Sequence, residues 1–141
     1  MKPQVINIKE NVNLYYVPTC KFKTTTFSIY IQRPLTREET TVNSLLTMVM
    51  RRACPGFDDT KSLSRYLDSL YGVVFSSAVR KKGERQLLCE NFQFINDKFL
   101  DEDIDIFGKV IDFAGNAVFG QKSFDEEYVN QEKENLKQQI M

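Results

Sequence analysis

The stretch Phe22-Lys23-Thr24-Thr25-Thr26-Phe27-Ser28-Ile29-Tyr30-Ile31-Gln32 sets Thr25, Phe27, Ile29 and Ile31 alternately against Thr24, Thr26, Ser28 and Tyr30. Period two sends the first set to one face of a β-strand and the second to the other. Its β-branched and aromatic residues suit a pleated surface. Pro34, which cannot donate to a ladder, closes the run. Such a strand belongs in an antiparallel sheet with one face on a core and the other face wetter.

Working outward, Asn13-Leu14-Tyr15-Tyr16-Val17 is a shorter strand that ends at Pro18. Residues 73–79 and 86–95 predict two more. Between them Arg80-Lys81-Lys82-Gly83-Glu84-Arg85 is charged and contains a glycine, so a hairpin is the economical connection. In the second of these strands Leu88, Phe92 and Phe94 occupy one face and Leu87 and Ile95 the other. A strand apolar on both faces is expected at the centre of a sheet.

Four helices separate and follow the strands. Thr36 with Glu39 matches a capping box, and Val42, Leu45, Leu46 and Val49 follow at i, i+3, i+4 and i+7. Cys54-Pro55-Gly56 stops this helix. A second begins near Asp59 or Thr60, carries Leu63, Tyr66, Leu67 and Leu70, and ends at Gly72. A third is predicted from Asp101 to about Val118, with Ile104, Phe107, Ile111, Ala114 and Val118 inward and Gly120 as its stop. The last opens at Ser123-Phe124-Asp125-Glu126 and runs to Met141 with a thin stripe of Val129, Leu136 and Ile140. No stop signal precedes the chain end, so residues 1–141 are expected to be a domain fragment cut within its last helix. The order of elements predicts an α+β fold, with helices packed on one face of an antiparallel sheet.

Composition narrows the chemistry. The chain has 141 residues, with 19 Lys+Arg against 19 Asp+Glu and no histidine. Balanced charge argues against nucleic-acid binding, which draws on an excess of cations. Without imidazole there is no Ser-His or Cys-His nucleophile pair and no His-ligated zinc. Cys20, Cys54 and Cys89 lie far apart, an odd set that suits a reducing compartment. The most apolar segment, Leu45 to Met50, is six residues, against the roughly 20 that cross a bilayer. A cytoplasmic protein without a membrane partner is expected.

Several motifs then line up in one order: Lys21-Phe22-Lys23-Thr24, Arg33-Pro34-Leu35, Leu67-Asp68-x-Leu70-Tyr71-Gly72, Asn96-Asp97-Lys98, Phe124-Asp125-Glu126-Glu127 and Gln131-Glu132-Lys133-Glu134-Asn135-Leu136-Lys137. From about residue 12 onward this set resembles the N-terminal part of insulinase/pitrilysin-type zinc peptidases. The likeness is to the bacterial branch that lacks the metal site and is encoded beside an active paralogue. Active members carry an inverted His-x-x-Glu-His motif on the first helix and a glutamate ligand on a later one. Counting back from Leu70-Tyr71-Gly72, the resemblance puts Ser44 and Met48 where the two histidines belong and Thr47 where the catalytic base belongs. Glu132 matches the leading glutamate of the later helix, and Gln139 takes the ligand position seven residues on. The resemblance therefore implies no catalytic residue, no metal and no cofactor. It also implies a zinc-bearing paralogous partner, with a peptide as the shared substrate. A scaffold that keeps the fold and handles no peptide is the alternative.

Blander readings stand beside these. Met48 packs beside Leu45 and Val49 while Ser44 and Thr47 border a small polar hollow. Glu132 is read first as a solvated helical glutamate, and second as a partner for Lys or Arg across the vacated site. Cys54, near Arg51 and Arg52, is read as structural rather than as an activated thiol, and Cys89 as core. Arg80, Lys81, Lys82 and Arg85 are a solvated surface, as are Asp101, Glu102, Asp103 and Asp105, which lack calcium-loop spacing. The strand from Phe22 to Gln32 would accept an extended peptide if it lay at a sheet edge; a paired strand with one buried face is the simpler expectation.

Overall fold

The computed structural model describes residues 2–100, 103–120 and 123–140. The carboxylates Asp101 and Glu102 and the chain end at Met141 lie outside the described residues. Strands β3 (Thr24–Pro34), β4 (Val74–Lys82) and β5 (Arg85–Ile95) form an antiparallel sheet in the order β3-β5-β4. The strand that is apolar on both faces is indeed the central one. Gly83 takes φ +60°, the left-handed region that a tight hairpin opens with and that glycine enters without a Cβ clash. The loop is therefore only Gly83 and Glu84, and Arg80 to Lys82 belong to β4 rather than to the connection.

Register decides what the sheet offers to the helices. Phe27, Phe92 and Phe75 stand side by side across the three strands; so do Ile29, Glu90 and Ser77, and then Ile31, Leu88 and Val79. The first row is the centre of the core. Phe92, with no exposed surface, stacks on Phe75 at 4.9 Å and meets the edge of Phe113 at 5.8 Å. Phe57 and Tyr66 extend the cluster, their rings 4.7 Å apart. Helices α2 (Thr60–Ser69) and α3 (Ile106–Phe119) close over it. Asp59 caps α2, accepting from the Ser62 amide at 2.6 Å, and Asp105 caps α3, accepting from Gly108 at 2.7 Å.

Three local expectations need correction. An additional strand β1 (Gln4–Lys9) pairs with β2 (Val12–Tyr16) around Asn11, which adopts φ +61°. Val5-Ile6-Asn7-Ile8 lacks a period-two pattern because every residue of this hairpin is exposed, so no buried face writes an alternation into the sequence. In α3 the buried line is Ile106, Val110, Phe113, Ala114 and Ala117, while Phe107 is half exposed. Phe113 sets that rotation by reaching the sheet aromatics, and the small Ala114 and Ala117 let the helix approach. In α1 (Arg37–Met50) Val49 is buried as expected, but Val42 is 63 % exposed, and Thr47 and Met50 are covered instead. That helix lies against both β4 and α4 (Glu126–Ile140), so its covered surface centres on Thr47 rather than on the aliphatic line.

The start of α1 is fixed from three sides. Thr36 accepts from the Glu39 amide at 3.2 Å, as the capping box predicts. Arg33 of β3 makes two bonds to the Glu39 carboxylate, and the fully buried Gln86 donates to the Pro34 carbonyl at 3.1 Å. In α4 the cap is Asp125, whose Oδ1 accepts from the amides of Glu127 and Tyr128. Val129 and Leu136 are half-buried, Ile140 is exposed, and Glu132 is the buried residue of this helix. No helix of the described residues is long and apolar enough to cross a membrane.

Candidate functional site

Helices α1 and α4 meet along a polar seam beside β4. On α1, Ser44, Thr47, Met48 and Arg51 recur at three- and four-residue intervals and so share one face. On α4, Glu132, Asn135, Leu136 and Gln139 do the same. Ser44, Thr47, Met48 and Gln139, separated by up to 95 positions in sequence (44 to 139), all line one hollow of about 250 Å³, with Ser77 to Val79 of β4 as its floor. A larger cavity of about 610 Å³ adjoins it, sharing Met48, Arg51 and Gln139 and extending to Arg52, Thr60, Glu132, Asn135 and Gln138. Every position aligned with a metal ligand or base thus comes to one place.

The atoms found there are poor zinc donors. The Ser44 hydroxyl donates to the Thr40 carbonyl at 2.9 Å, and Thr47 donates to the Ser44 carbonyl at 2.9 Å. Both side chains are folded back on their own helix. Met48 offers a thioether and Gln139 an amide, neither anionic nor imidazole, the types zinc selects. The donor set does not fit the ion.

The expectation that Glu132 is a solvated glutamate is overturned. Its side chain is only 6 % exposed, and Oε1 accepts from Arg52 Nε at 2.6 Å. The other oxygen accepts from Asn135 Nδ2 at 3.1 Å. Burial alone would raise this carboxyl, but the bonds from Asn135 and Arg52 and the charge of Arg51 outweigh it and hold the group below its ordinary value. A guanidinium therefore supplies the positive charge that Glu132 requires. It comes from the C-terminal end of α1, where the helix dipole already favours cations.

Beneath the seam lies a second buried carboxyl, Glu90 of β5, 1 % exposed. Ser77 donates to its Oε1 at 2.8 Å, while Oε2 has no hydrogen-bond partner among the described residues. Burial raises its pKa, against the smaller opposing effects of Ser77 and Arg51. The sequence places Arg51 and Arg52 beside Cys54 and offers Glu132 a cationic partner without naming Arg52, and it leaves Glu90 unremarked. A signal for Glu90 was present, since period two puts it among Leu88, Phe92 and Phe94, where a carboxylate is out of place.

The remaining candidates lie elsewhere. Cys54 is buried and its thiol is pushed up to about 11 by that burial, with no sign of activation by the neighbouring arginines. Cys89 is buried too, on the sheet face away from the aromatic cluster, between Tyr30 and Ala78. Arg80, Lys81, Lys82 and Arg85 are all exposed at the hairpin end of β4 and β5, the solvated surface expected of them. Strand β3 pairs with β5 along one side, and among the described residues no strand pairs with its other side. It therefore has both an open edge and a half-buried face.

Comparisons with known proteins agree with this geometry at a coarse level. No family model matches the chain. The likeness is to the class of metalloprotease-like proteins without activity. Over 130 residues the chain is 34 % identical to the probable inactive metalloprotease YmfF of Bacillus subtilis (strain 168), covering 89 % of this chain and 30 % of that protein. A crystal structure of a conserved protein from Enterococcus faecalis V583 superposes with a TM-score of 0.89 at 27 % identity, covering 96 % of this chain and 32 % of that one. The chain thus spans about a third of the length of the proteins it matches.

Proposed function

We propose that this chain is part of a zinc-free subunit of insulinase-type descent, which pairs in the cytoplasm with a zinc-bearing paralogue and helps to bind or process peptides. The observation that carries the reading is the Arg52–Glu132 pair. It bridges α1 and α4 in the cavity that adjoins the hollow lined by Ser44, Thr47, Met48 and Gln139, between the helices that, by the resemblance, hold the ion in active members. The likeness to a probable inactive metalloprotease supports the same reading. The open edge of β3 supports peptide handling, since an extended peptide can add to such an edge through main-chain bonds.

The test is co-expression with a His-x-x-Glu-His paralogue encoded nearby, followed by co-purification and a fluorogenic peptide assay. The expected result is a complex that cleaves peptides only when both chains are present, with zinc in the paralogue alone. Near-stoichiometric zinc and turnover by this chain by itself would sink the proposal. Equal cleavage without this chain would favour a scaffold role. That second reading draws on the β1–β2 hairpin, which exposes Val5, Ile6, Ile8, Leu14, Tyr15 and Tyr16 as an assembly surface would.

A further inference from the structure

The larger cavity between α1 and α4 has an unbalanced charge. Among the described residues Arg51 and Arg52 line it and Glu132 is the only carboxylate that does so, which leaves these side chains with a single positive charge in excess. Glu132 spends one oxygen on Arg52 and the other on Asn135. Glu90, the other carboxyl near Arg51, lies buried beneath Ser77. Arg51 is exposed, and its side chain makes no hydrogen bond or ion pair with another described residue. Its planar fork of five N–H donors is therefore available to a ligand.

We propose that Arg51 makes this cavity a receptor for a carboxylate, namely the C-terminal carboxylate of a peptide; the peptide part of this rests on the function proposed above. One guanidinium in excess matches one carboxylate in charge and in bidentate geometry, whereas a phosphate dianion would bring a charge that nothing in the cavity neutralises. About 610 Å³ is within the range of small-ligand sites. Thr60, Gln138 and Gln139 supply uncharged donors and acceptors for the peptide groups that precede the carboxylate. Arg52 cannot substitute for Arg51, because removing it from Glu132 would strand a buried charge.

Two measurements on the full chain test this. Side-chain Nε–Hε resonances of arginine are followed during titration with sodium acetate, against sodium chloride at equal ionic strength. Calorimetry then compares acetyl-tetraalanine as the free acid with its C-terminal amide, for wild type, Arg51→Gln and Arg51→Lys. The expected result is an acetate-dependent shift at Arg51, and at least roughly tenfold tighter binding of the acid than of the amide. Arg51→Gln should abolish that preference, and Arg51→Lys should keep part of it. Equal binding of acid and amide by wild type would overturn the carboxylate site while leaving peptide binding intact. An acetate shift with neither peptide bound would keep the carboxylate site and overturn its peptide ligand. If neither probe binds, the whole inference fails. Arg51 is exposed, so the variants are expected to fold, and their thermal melts confirm it.

Discussion

The two halves of the helical layer are built on opposite principles. Over one end of the sheet, α2 and α3 bury Phe92 and Phe113 in an aromatic cluster against which the half-buried Phe75 and Tyr66 pack. Over the other, α1 and α4 enclose Thr47, Glu132, Arg52 and, in the sheet below, Glu90 and Ser77. Apolar burial is non-directional and tolerates few voids, so the first half is a stabilising block. Buried polar groups stabilise only when each finds its partner, so the second half exchanges stability for a shaped, charged cavity. A fold whose core lies in one half can change the chemistry of the other without unfolding. A core confined to the apolar half leaves the positions of Ser44, Met48 and Gln139 free to vary in a fold similar to that of the Enterococcus faecalis protein.

The largest effect should come from the dry half. Phe92→Ala removes a side chain with no exposed surface and is expected to cost about 3–5 kcal/mol, measured by chemical denaturation. A loss under about 1 kcal/mol would mean that the aromatic block does not dominate stability. In the polar half, Arg52→Gln strands the Glu132 charge and is expected to cost about 1–3 kcal/mol, below the range for fully buried pairs because Arg52 is 38 % exposed. The double variant Arg52→Gln/Glu132→Gln should recover part of that loss. Linkage gives a further check: Glu132 is held below its ordinary value, so its contribution is present above the unfolded pKa, about 4.3, and fades as pH falls through the folded value. The gap between wild type and Arg52→Gln should therefore narrow in acid.

This contrast also explains what could be read in the sequence. The apolar half was legible because burial writes a period: alternation in residues 22–32 and 86–95 gave the sheet, and Leu63, Tyr66, Leu67 and Leu70 gave α2. Even there, rotation was not fixed by spacing. Phe107 looked inward until Phe113 was seen to reach Phe92, a choice made by side-chain size across the interface. The polar half has no apolar period to mark which helical face is covered. Counting from a resemblance brought Ser44, Thr47, Met48 and Gln139 to one place, but the partner of Glu132 is 80 residues away in sequence (52 to 132) and follows no local rule. The β1–β2 hairpin shows the same limit from the other side, since an exposed strand carries no pattern of burial.

A smaller effect, of opposite sign, is expected at Glu90. Burial raises its folded pKa above the unfolded one, so the folded state holds the proton more tightly. The associated stability is fully present below about pH 4.3 and is lost as pH rises through the folded value. Glu90→Gln mimics the protonated form and should remove that decline, making the variant more stable than wild type at alkaline pH and nearly equal in acid. Melting temperatures across pH 4–9 would show it. Parallel curves for the two proteins would place Glu90 in a solvated setting and weaken the contrast between the halves.

The smallest effect expected is on reactivity rather than on stability. Cys54 lies at the border of the aromatic cluster, buried, with its thiol pushed up to about 11. At pH 7.5 only about one molecule in a few thousand would carry the thiolate, the species that attacks an alkylating agent. Cys20 is exposed. Iodoacetamide applied to the native protein should therefore modify Cys20 and spare Cys54 and Cys89, as read by intact mass and peptide mapping. In Phe92→Ala, where the cluster opens more often, Cys54 should begin to react while Cys20 keeps its rate. If Cys54 reacted as fast as Cys20 in the wild type, the arginines at the end of α1 would be activating it, and the border between the dry and the charged halves would run on the other side of this residue.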